Sequence, residues 1–168
     1  MKLNIVLVEP EIPQNTGNIA RTCAAIGAKL HLVYPLGFSI SEKQVKRAGL
    51  DYWDKLEIEE HNSFKSFLEK YKPENTNMFF VTTKGQKVYS DVNYSEFDEV
   101  FLLFGKETKG LPEDILKKYI NSTIRIPMRE NLRSLNLSNS VAIVAYDVCR
   151  QIEFKDLEEI SGYFDKNN

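Results

Sequence analysis

The chain has 168 residues, of which 42% are hydrophobic and 27% charged, and its formal net charge is −2. This composition is typical of one soluble globular domain over residues 1–168. It excludes a general basic surface, so any nucleic-acid contact must come from a local patch. The short apolar run at the start excludes a signal peptide or a membrane span, and two isolated cysteines with two histidines argue against a metal site.

The first half of the chain alternates apolar runs with stretches of helical spacing. Residues 3–8 are apolar except for Asn4 and are rich in β-branched side chains, which predicts a strand buried on both faces. Residues 9–13 contain two prolines and predict a stiff loop, after which residues 15–18 can begin a helix that ends at Gly27. Further strands are predicted at 30–34 and 55–58, and further helices at 41–48 and 63–71.

The second half continues this alternation. Strands are predicted at 78–82, 100–104 and 123–126, with a helix at 112–119 that has proline in its first turn. Residues 134–139 are mostly Ser and Asn and precede a long apolar run. They indicate either a helix cap with polar neighbours or a polar helix start that holds a ligand. Residues 154–164 predict an amphipathic helix that covers the sheet or, alternatively, contacts a second subunit.

Strands that alternate with helices predict a parallel sheet covered by helices on both faces, and ligands of such sheets gather at the carboxyl ends of the strands. Glycine, small polar residues and cations follow four of the predicted strands, at 15–21, 83–85, 105–111 and 126–139. A phosphate-binding loop is excluded because Leu111 stands where lysine is required, and no G-x-G-x-x-G follows a strand.

Three segments of the chain resemble the motifs of the SPOUT-class RNA 2′-O-ribose methyltransferases. They are residues 15–21 (NTGNIAR), residues 104–111 (FGKETKGL), and IPM at 126–128 with RSLNLSN at 133–139. Together with residues 9–13 and 47–52, they most resemble the small branch that methylates the wobble nucleotide of certain tRNAs. The resemblance covers nearly the whole chain. It implies an α/β parallel-sheet SPOUT fold, a C-terminal trefoil knot over about residues 78–153, and a homodimer.

The resemblance also implies that S-adenosylmethionine binds in the knot. The positions that match the family's cofactor site are Val81, Thr82, Gly105, Ile126, Met128, Ser134 and Leu135. These residue types suit the cofactor, because apolar side chains at strand ends can hold adenine and a glycine lets the backbone approach closely.

Arg21 is the residue that the resemblance places at the acceptor hydroxyl; alone, it would be interpreted as a surface ion pair. Its position on the predicted helix, six residues after Asn15, is expected to bring it to the mouth of the pocket. A guanidinium has a pKa above about 12 and is a poor base. We therefore expect Arg21 to orient the ribose or phosphate and to stabilise a developing alkoxide, with a phosphate oxygen or water as proton acceptor. Glu107 and Asn139 are candidates to orient Arg21 or the acceptor, although Asn139 is also a candidate helix cap. Asn15 is expected to brace the loop on the substrate side.

Cationic side chains around the predicted pocket are candidate contacts for the tRNA backbone, and each is alternatively a solvated surface charge. Single-stranded loop bases also favour aromatic stacking partners. The candidate cations are Lys46, Arg47, Lys84, Lys87, Lys106, Lys109, Arg129 and Arg133, and the candidate stacking residues are Phe38, Tyr52 and Trp53.

Residues 141–149 are apolar almost all round a helix, so this helix must be covered on more than one side. A second copy is the expected partner on the side away from the sheet, with the helical segments 137–152 and 16–25 at or beside the contact and Val144 and Tyr146 as candidate contacts. The predicted function is cytoplasmic methylation of the ribose 2′-hydroxyl of the wobble cytidine or uridine, in the anticodon stem-loop of leucine tRNAs. The alternatives are a non-catalytic RNA-binding or assembly factor on the same scaffold and a doubly wound nucleotide enzyme.

Overall fold

The structure is a computed structural model that describes residues 1–39 and 56–163. Over these ranges it contains a sheet whose strands are β1 (Lys2–Val8), β2 (Lys29–Val33), β3 (Ile58–His61), β4 (Met78–Val81), β5 (Lys87–Val88), β6 (Glu99–Phe104) and β7 (Thr123–Arg125). The helices are α1 (Pro13–Ile26), α2 (Phe64–Tyr71), α3 (Glu113–Lys118) and α4 (Leu137–Gln151). The strands lie in the order β3-β2-β1-β6-β4-β7-β5, and every neighbouring pair is parallel.

Strand β1, which lies between β2 and β6, is buried on both faces, as its apolar run predicts. Leu3, Ile5 and Leu7 face a core that also contains residues of α1 and α4. Val6 and Val8 face the opposite core, which α2 and α3 cover. Successive side chains of a strand point to opposite faces, so a strand between two helical layers is apolar at nearly every position. The exception among the buried residues of β1 is Asn4, whose side chain is hydrogen-bonded.

Helix α1 begins two residues before the predicted start, because Pro13 occupies its first turn. The fixed φ of proline suits this position, where the missing N–H would have no partner within the helix. The predicted end is confirmed. Gly27 adopts the left-handed conformation, with φ 68°, and its N–H donates to the Cys23 carbonyl oxygen.

Helix α4 has one face in the core and one face exposed. Its N-cap is Asn136, whose side-chain oxygen accepts from the Ser138 and Asn139 N–H groups, so Asn139 is not the cap. The outward side chains Ile143 and Tyr146 are 37% and 45% exposed. The inward residues are fully buried, and they are Val141, Val144, Ala145 and Val148. Val144 is therefore wrong as a candidate subunit contact, whereas Tyr146 lies on the exposed face.

The predicted helix at 154–164 is wrong for the residues of that stretch that are described. Glu153, Phe154 and Asp156 have φ values of 57°, 49° and 69°, which a right-handed helix does not accommodate. The chain instead forms turns, and Ile160 and Tyr163 are 84% and 67% exposed.

Two strands differ from the sequence prediction. The strand expected at 55–58 lies at 58–61, because β3 pairs with β2 from Leu30 opposite Ile58 to Val33 opposite His61. The two-residue strand β5 was not predicted, since its Lys87 and Val88 follow no apolar pattern and are placed only by pairing with β7.

The other elements predicted within the described ranges are confirmed to within one or two residues. The structure also shows that Ser63 caps α2, accepting from the Ser66 N–H. The predicted helix at 41–48 lies outside the described residues. No helix in the described ranges is both long and apolar enough to cross a bilayer.

Candidate active site

A cavity of about 760 Å³ opens where four strands end at one edge of the sheet. Register brings these ends level: Leu7 and Val81 both lie opposite Phe104, and Val81 lies opposite Ile124. The segments that follow the strands therefore meet there. The lining includes all seven residues of the predicted cofactor site: Val81, Thr82, Gly105, Ile126, Met128, Ser134 and Leu135. Its volume lies in the range of about 300–1,000 Å³ that is usual for small-molecule sites.

The loop between β6 and α3 forms one wall of this cavity. It turns back on itself, with the Gly110 N–H donating to the Lys106 carbonyl oxygen over 2.8 Å. A Cβ on Gly105 would lie 2.0 Å from the Gly110 carbonyl carbon. Position 105 therefore requires glycine because the backbone of the same loop packs against it. The reason expected from the sequence was different, namely close approach of the backbone to the cofactor.

Glu107 holds this loop against the start of α1. Its carboxylate accepts hydrogen bonds from the Glu11 N–H at 2.8 Å, the Ile12 N–H at 3.2 Å and Asn15 Nδ2 at 2.9 Å. Each of these contacts joins residues more than 90 positions apart. The structure thus places Glu107 between two chain segments, and it brings Glu107 and Asn15 together as lining residues of the cavity.

Acidic residues after β1 complete this connection from the other side. The Glu11 carboxylate accepts from the Thr108 N–H and hydroxyl, at 3.1 and 2.8 Å. Glu9 forms an ion pair with Lys106, and this contact raises the pKa of Lys106. Glu9 itself has φ 52°, an unfavourable backbone conformation for a non-glycine residue that the surrounding contacts must stabilise.

Asn136 is a site residue that the sequence analysis missed. Its Nδ2 donates to Asn15 Oδ1 over 3.0 Å, while its own oxygen caps α4. It also lines the cavity. The sequence contains one signal, since Asn136 lies inside the polar run 134–139, but the resemblance points to Asn139 in that run. Asn139 is exposed and is not among the lining residues.

Arg21 lies away from the cavity of its own chain. It is exposed, is not a lining residue, and follows Asn15 by six positions, or about 9 Å along the axis of α1. The exposed face of α1 comprises Gln14, Asn18, Arg21 and Ala25, and that of α4 comprises Asn139, Ile143, Tyr146 and Arg150. Because α1 and α4 pack together on one side of the sheet, these two faces form one outer surface, which we call the α1–α4 surface.

The candidate RNA contacts fall into three groups. Lys84 and Lys106 form ion pairs, with Glu113 and Glu9. Four further cations are exposed: Arg129, Arg133, Lys87 and Lys109. Arg133 also lines the cavity, whereas the candidate stacking residue Phe38 is half-buried and is not a lining residue. Lys46, Arg47, Tyr52 and Trp53 lie outside the described residues.

A second polar cluster, the histidine cluster, lies at the β2–β3 end of the sheet. His31 Nδ1 and His61 Nε2 are 3.0 Å apart, and His31 Nε2 is 3.0 Å from Asn4 Oδ1. Burial lowers the pKa of both rings, which favours the neutral forms. Glu59 brings a carboxylate oxygen within 4.8 Å of both rings, an arrangement of metal-ligand types that sequence spacing did not predict. The same carboxylate is held by three side chains: Lys29, Lys70 and Tyr71.

Comparison with known proteins assigns a family to this chain. The model of the SpoU rRNA Methylase family matches residues 2–146. A Yersinia pestis protein named tRNA (cytidine(34)-2′-O)-methyltransferase is 48% identical, and the match covers 90% of this chain and 95% of that protein. The Escherichia coli protein of the same name is 46% identical, with the same coverage of both chains.

A solved structure described as "Structural insights into the 2-OH methylation of C/U34 on tRNA" superimposes with a TM-score of 0.84 at 43% identity. It covers 92% of this chain and 98% of that chain. The chain therefore belongs to the SpoU methylase family and has the SPOUT fold.

Proposed function

We propose that this member of the SpoU methylase family transfers a methyl group from S-adenosylmethionine to a tRNA. The acceptor is the ribose 2′-hydroxyl of the wobble nucleotide, cytidine or uridine, in the anticodon stem-loop. The observation that carries the proposal is the cavity at the carboxyl ends of the strands, because residues from each of the segments that match the family motifs line it. The names of the relatives that match nearly the whole chain support the same substrate.

The residues that line the cavity fit the cofactor. Val81, Ile126, Met128 and Leu135 offer an apolar slot for adenine, and polar residues also line the cavity, among them Thr82, Thr83, Ser134 and Asn136. The bound cofactor supplies a methyl group on a sulfonium, which is a good leaving group. The protein's task is therefore to align the acceptor and to stabilise one developing charge. We assign the cavity to a trefoil knot over about residues 78–153, on the basis of family membership.

Arg21 is proposed to act at the acceptor of a partner subunit. It lies on the α1–α4 surface, and the exposed Ile143 and Tyr146 give this surface an apolar part. A homodimer that buries this surface about a two-fold axis would bring Arg21 of one copy to the cavity of the other. Neither chain alone would then hold a complete site.

In the proposed reaction, the ribose oxygen forms a bond to the methyl carbon as the carbon–sulfur bond breaks. Arg21 orients the acceptor and stabilises charge on the ribose oxygen. The hydroxyl proton leaves to a phosphate oxygen or to water, because a guanidinium does not accept it.

The exposed cations near the cavity mouth are proposed to contact the tRNA backbone. Arg129 and Arg133 lie in the largely exposed stretch 127–136, and Lys109 is exposed on the loop after β6 that also lines the cavity. Such contacts supply affinity without sequence specificity. Restriction to leucine tRNAs and a cytoplasmic location are part of the proposal and follow from the family resemblance.

The experiment is methyl transfer from labelled S-adenosylmethionine into bulk tRNA, followed by mapping of the methylated nucleotide. We expect label at the wobble ribose with the parent chain and with Lys65→Ala, a control on the far helix α2 where Lys65 is 86% exposed. We expect about 100- to 1,000-fold slower labelling with Arg21→Ala. Binding of tRNA without transfer would instead favour the non-catalytic scaffold, and label at a base or at another position would refute the proposed substrate.

A further inference from the structure

A continuous chain of hydrogen bonds runs from Glu107 to the start of α4. Asn15 Nδ2 donates to Glu107 Oε1 at 2.9 Å, and Asn136 Nδ2 donates to Asn15 Oδ1 at 3.0 Å. Asn136 Oδ1 then accepts from the Ser138 N–H at 2.9 Å and the Ser138 hydroxyl at 2.7 Å. We call the three residues Glu107, Asn15 and Asn136 the amide relay. Its members come from three segments that are far apart in sequence and meet only at the cavity.

The relay has one direction, which the chemistry of its two ends imposes. An ionised carboxylate only accepts hydrogen bonds, so the Asn15 amide must turn its NH₂ group toward Glu107. Its oxygen then faces Asn136, which must present NH₂ to Asn15 and oxygen to the α4 N–H groups. Asn15 is only 6% exposed, so little water is available to replace a lost partner.

We propose that Asn136 and Asn15 are positioning residues for methyl transfer, which hold α1 in a fixed place relative to the cofactor segment 133–137. This inference rests on the proposed function. Neither side chain is assigned a bond to the reacting atoms. Their effect passes through α1, whose first turn carries Asn15 and whose exposed face carries Arg21. Misplacement of a reacting group by about 1 Å can lower the rate about 100-fold, so loss of the relay should lower kcat.

Asn136→Asp separates the relay from the helix cap. Aspartate is as good an N-cap as asparagine, so the start of α4 keeps its acceptor. The relay, however, then has a carboxylate at each end, and the single NH₂ of Asn15 can satisfy only one of them. We expect kcat on tRNA to fall about 10- to 100-fold. Asn62→Asp, the same chemical change at an exposed residue that does not line the cavity, should leave kcat unchanged.

Glu107→Gln supplies the rescue. In the double variant Glu107→Gln/Asn136→Asp, the new amide at position 107 can keep its oxygen on the Glu11 N–H and donate its NH₂ to Asn15, while the 3.2 Å contact from the Ile12 N–H is lost. The Asn15 amide can then turn over and donate to the new carboxylate at position 136, so that the relay runs in the opposite direction. We expect the double variant to recover about tenfold in kcat over Asn136→Asp, a recovery that should vanish when Asn15→Ala is added. Because the Ile12 contact is lost, the recovery is measured against the Glu107→Gln single variant as well as against Asn136→Asp. A merely structural role of Asn136 gives no such dependence on Glu107 and Asn15.

Parent-like kcat in Asn136→Asp, or strictly additive effects of the two substitutions, would overturn the relay. The same cycle is also measured in urea unfolding, where coupling between positions 107 and 136 that depends on Asn15 needs no enzymatic activity. If the parent chain itself transfers no methyl group, the proposed function fails and the positioning role falls with it, while the unfolding cycle still decides whether the relay exists.

Discussion

Gly105→Ala tests the architecture of the cavity wall with the smallest possible change. The added Cβ would lie 2.0 Å from the Gly110 carbonyl carbon and 2.1 Å from the Leu111 nitrogen. Both neighbours are backbone atoms, which cannot move aside as a flexible side chain would. Restoring an ordinary contact of 3.4 Å requires the two sides of the loop to separate by more than 1 Å.

The size of the effect follows from this forced separation. Overpacking of a well-packed site costs about 1–3 kcal/mol. In a domain of this length, about 1 kcal/mol lowers Tm by roughly 2–4 °C, so we expect Tm to fall by about 2–12 °C. The displaced loop also carries Glu107, Thr108 and Lys106, whose contacts fix the start of α1. We therefore expect S-adenosylmethionine to bind at least about tenfold more weakly, which corresponds to ~1.4 kcal/mol.

The assay combines thermal unfolding with calorimetric titration of S-adenosylmethionine. Gly162→Ala is the matched control, because a Cβ at Gly162 has no heavy atom within 4 Å and the residue has no positive φ. The control should keep both the parent Tm and the parent affinity. A Gly105→Ala variant that also keeps both would show that the loop does not close on itself as described.

Three further predictions concern catalysis, assembly and acid stability. Arg21→Ala should keep the parent affinity for the cofactor and lose about 2.7–4 kcal/mol of transition-state stabilisation. Arg21→Lys should also lose turnover, because the point charge of an ammonium does not replace the planar guanidinium. Near-parent turnover on tRNA would exclude the catalytic role. Tyr146→Glu should weaken the proposed dimer and the tRNA activity together in sedimentation and turnover assays, whereas Val144→Glu should unfold the chain because Val144 is fully buried. Burial holds the pKa of His31 below that of the unfolded chain, so the unfolded state takes up the proton first. The contribution of neutral His31 to the free energy of unfolding should be fully present above about pH 6.5 and should decrease as the pH falls below that value. His31→Gln should reduce this pH dependence in urea melts recorded at a series of pH values.

The sheet was largely predictable because burial on both faces requires a local sequence pattern. Residues 3–8 are apolar at almost every position, and in the structure both faces of β1 are covered. Gly27 marked the end of α1, where a left-handed conformation is required. The predicted helix at 154–164 failed although its apolar spacing is helical, because three residues near its start adopt positive φ. Spacing alone does not reveal where the backbone turns.

The contacts of the site were less predictable than its members. All seven predicted cofactor positions line one cavity, since strand ends of a parallel sheet meet at one edge. Asn136 was missed because its role depends on a hydrogen bond to a residue 121 positions away. The contact between His31 and His61 was not predictable for the same reason. The parallel pairing of β2 with β3 brings the two rings together, and their spacing in the sequence does not indicate it. The sequence specifies such pairs only through the finished fold.

Helix α1 links the cofactor cavity to the α1–α4 surface. Its start is fixed at the cavity wall by Asn15 and by two backbone N–H groups that donate to Glu107. Its inner face is buried in the core, so the helix can neither rotate nor slide without exposing apolar side chains. Because α1 is held at its start and along its inner face, the position of Arg21, six residues after Asn15, is fixed relative to the cavity wall. The contacts at the cavity wall therefore determine where the Arg21 side chain projects from α1, although Arg21 lies about 9 Å from Asn15 along the helix axis. In the proposed dimer, this arrangement ties the position of the acceptor-handling guanidinium in one copy to the cavity wall of that same copy. The position of the methyl group is set by the other copy, so the alignment of the two reactants depends on the subunit contact itself.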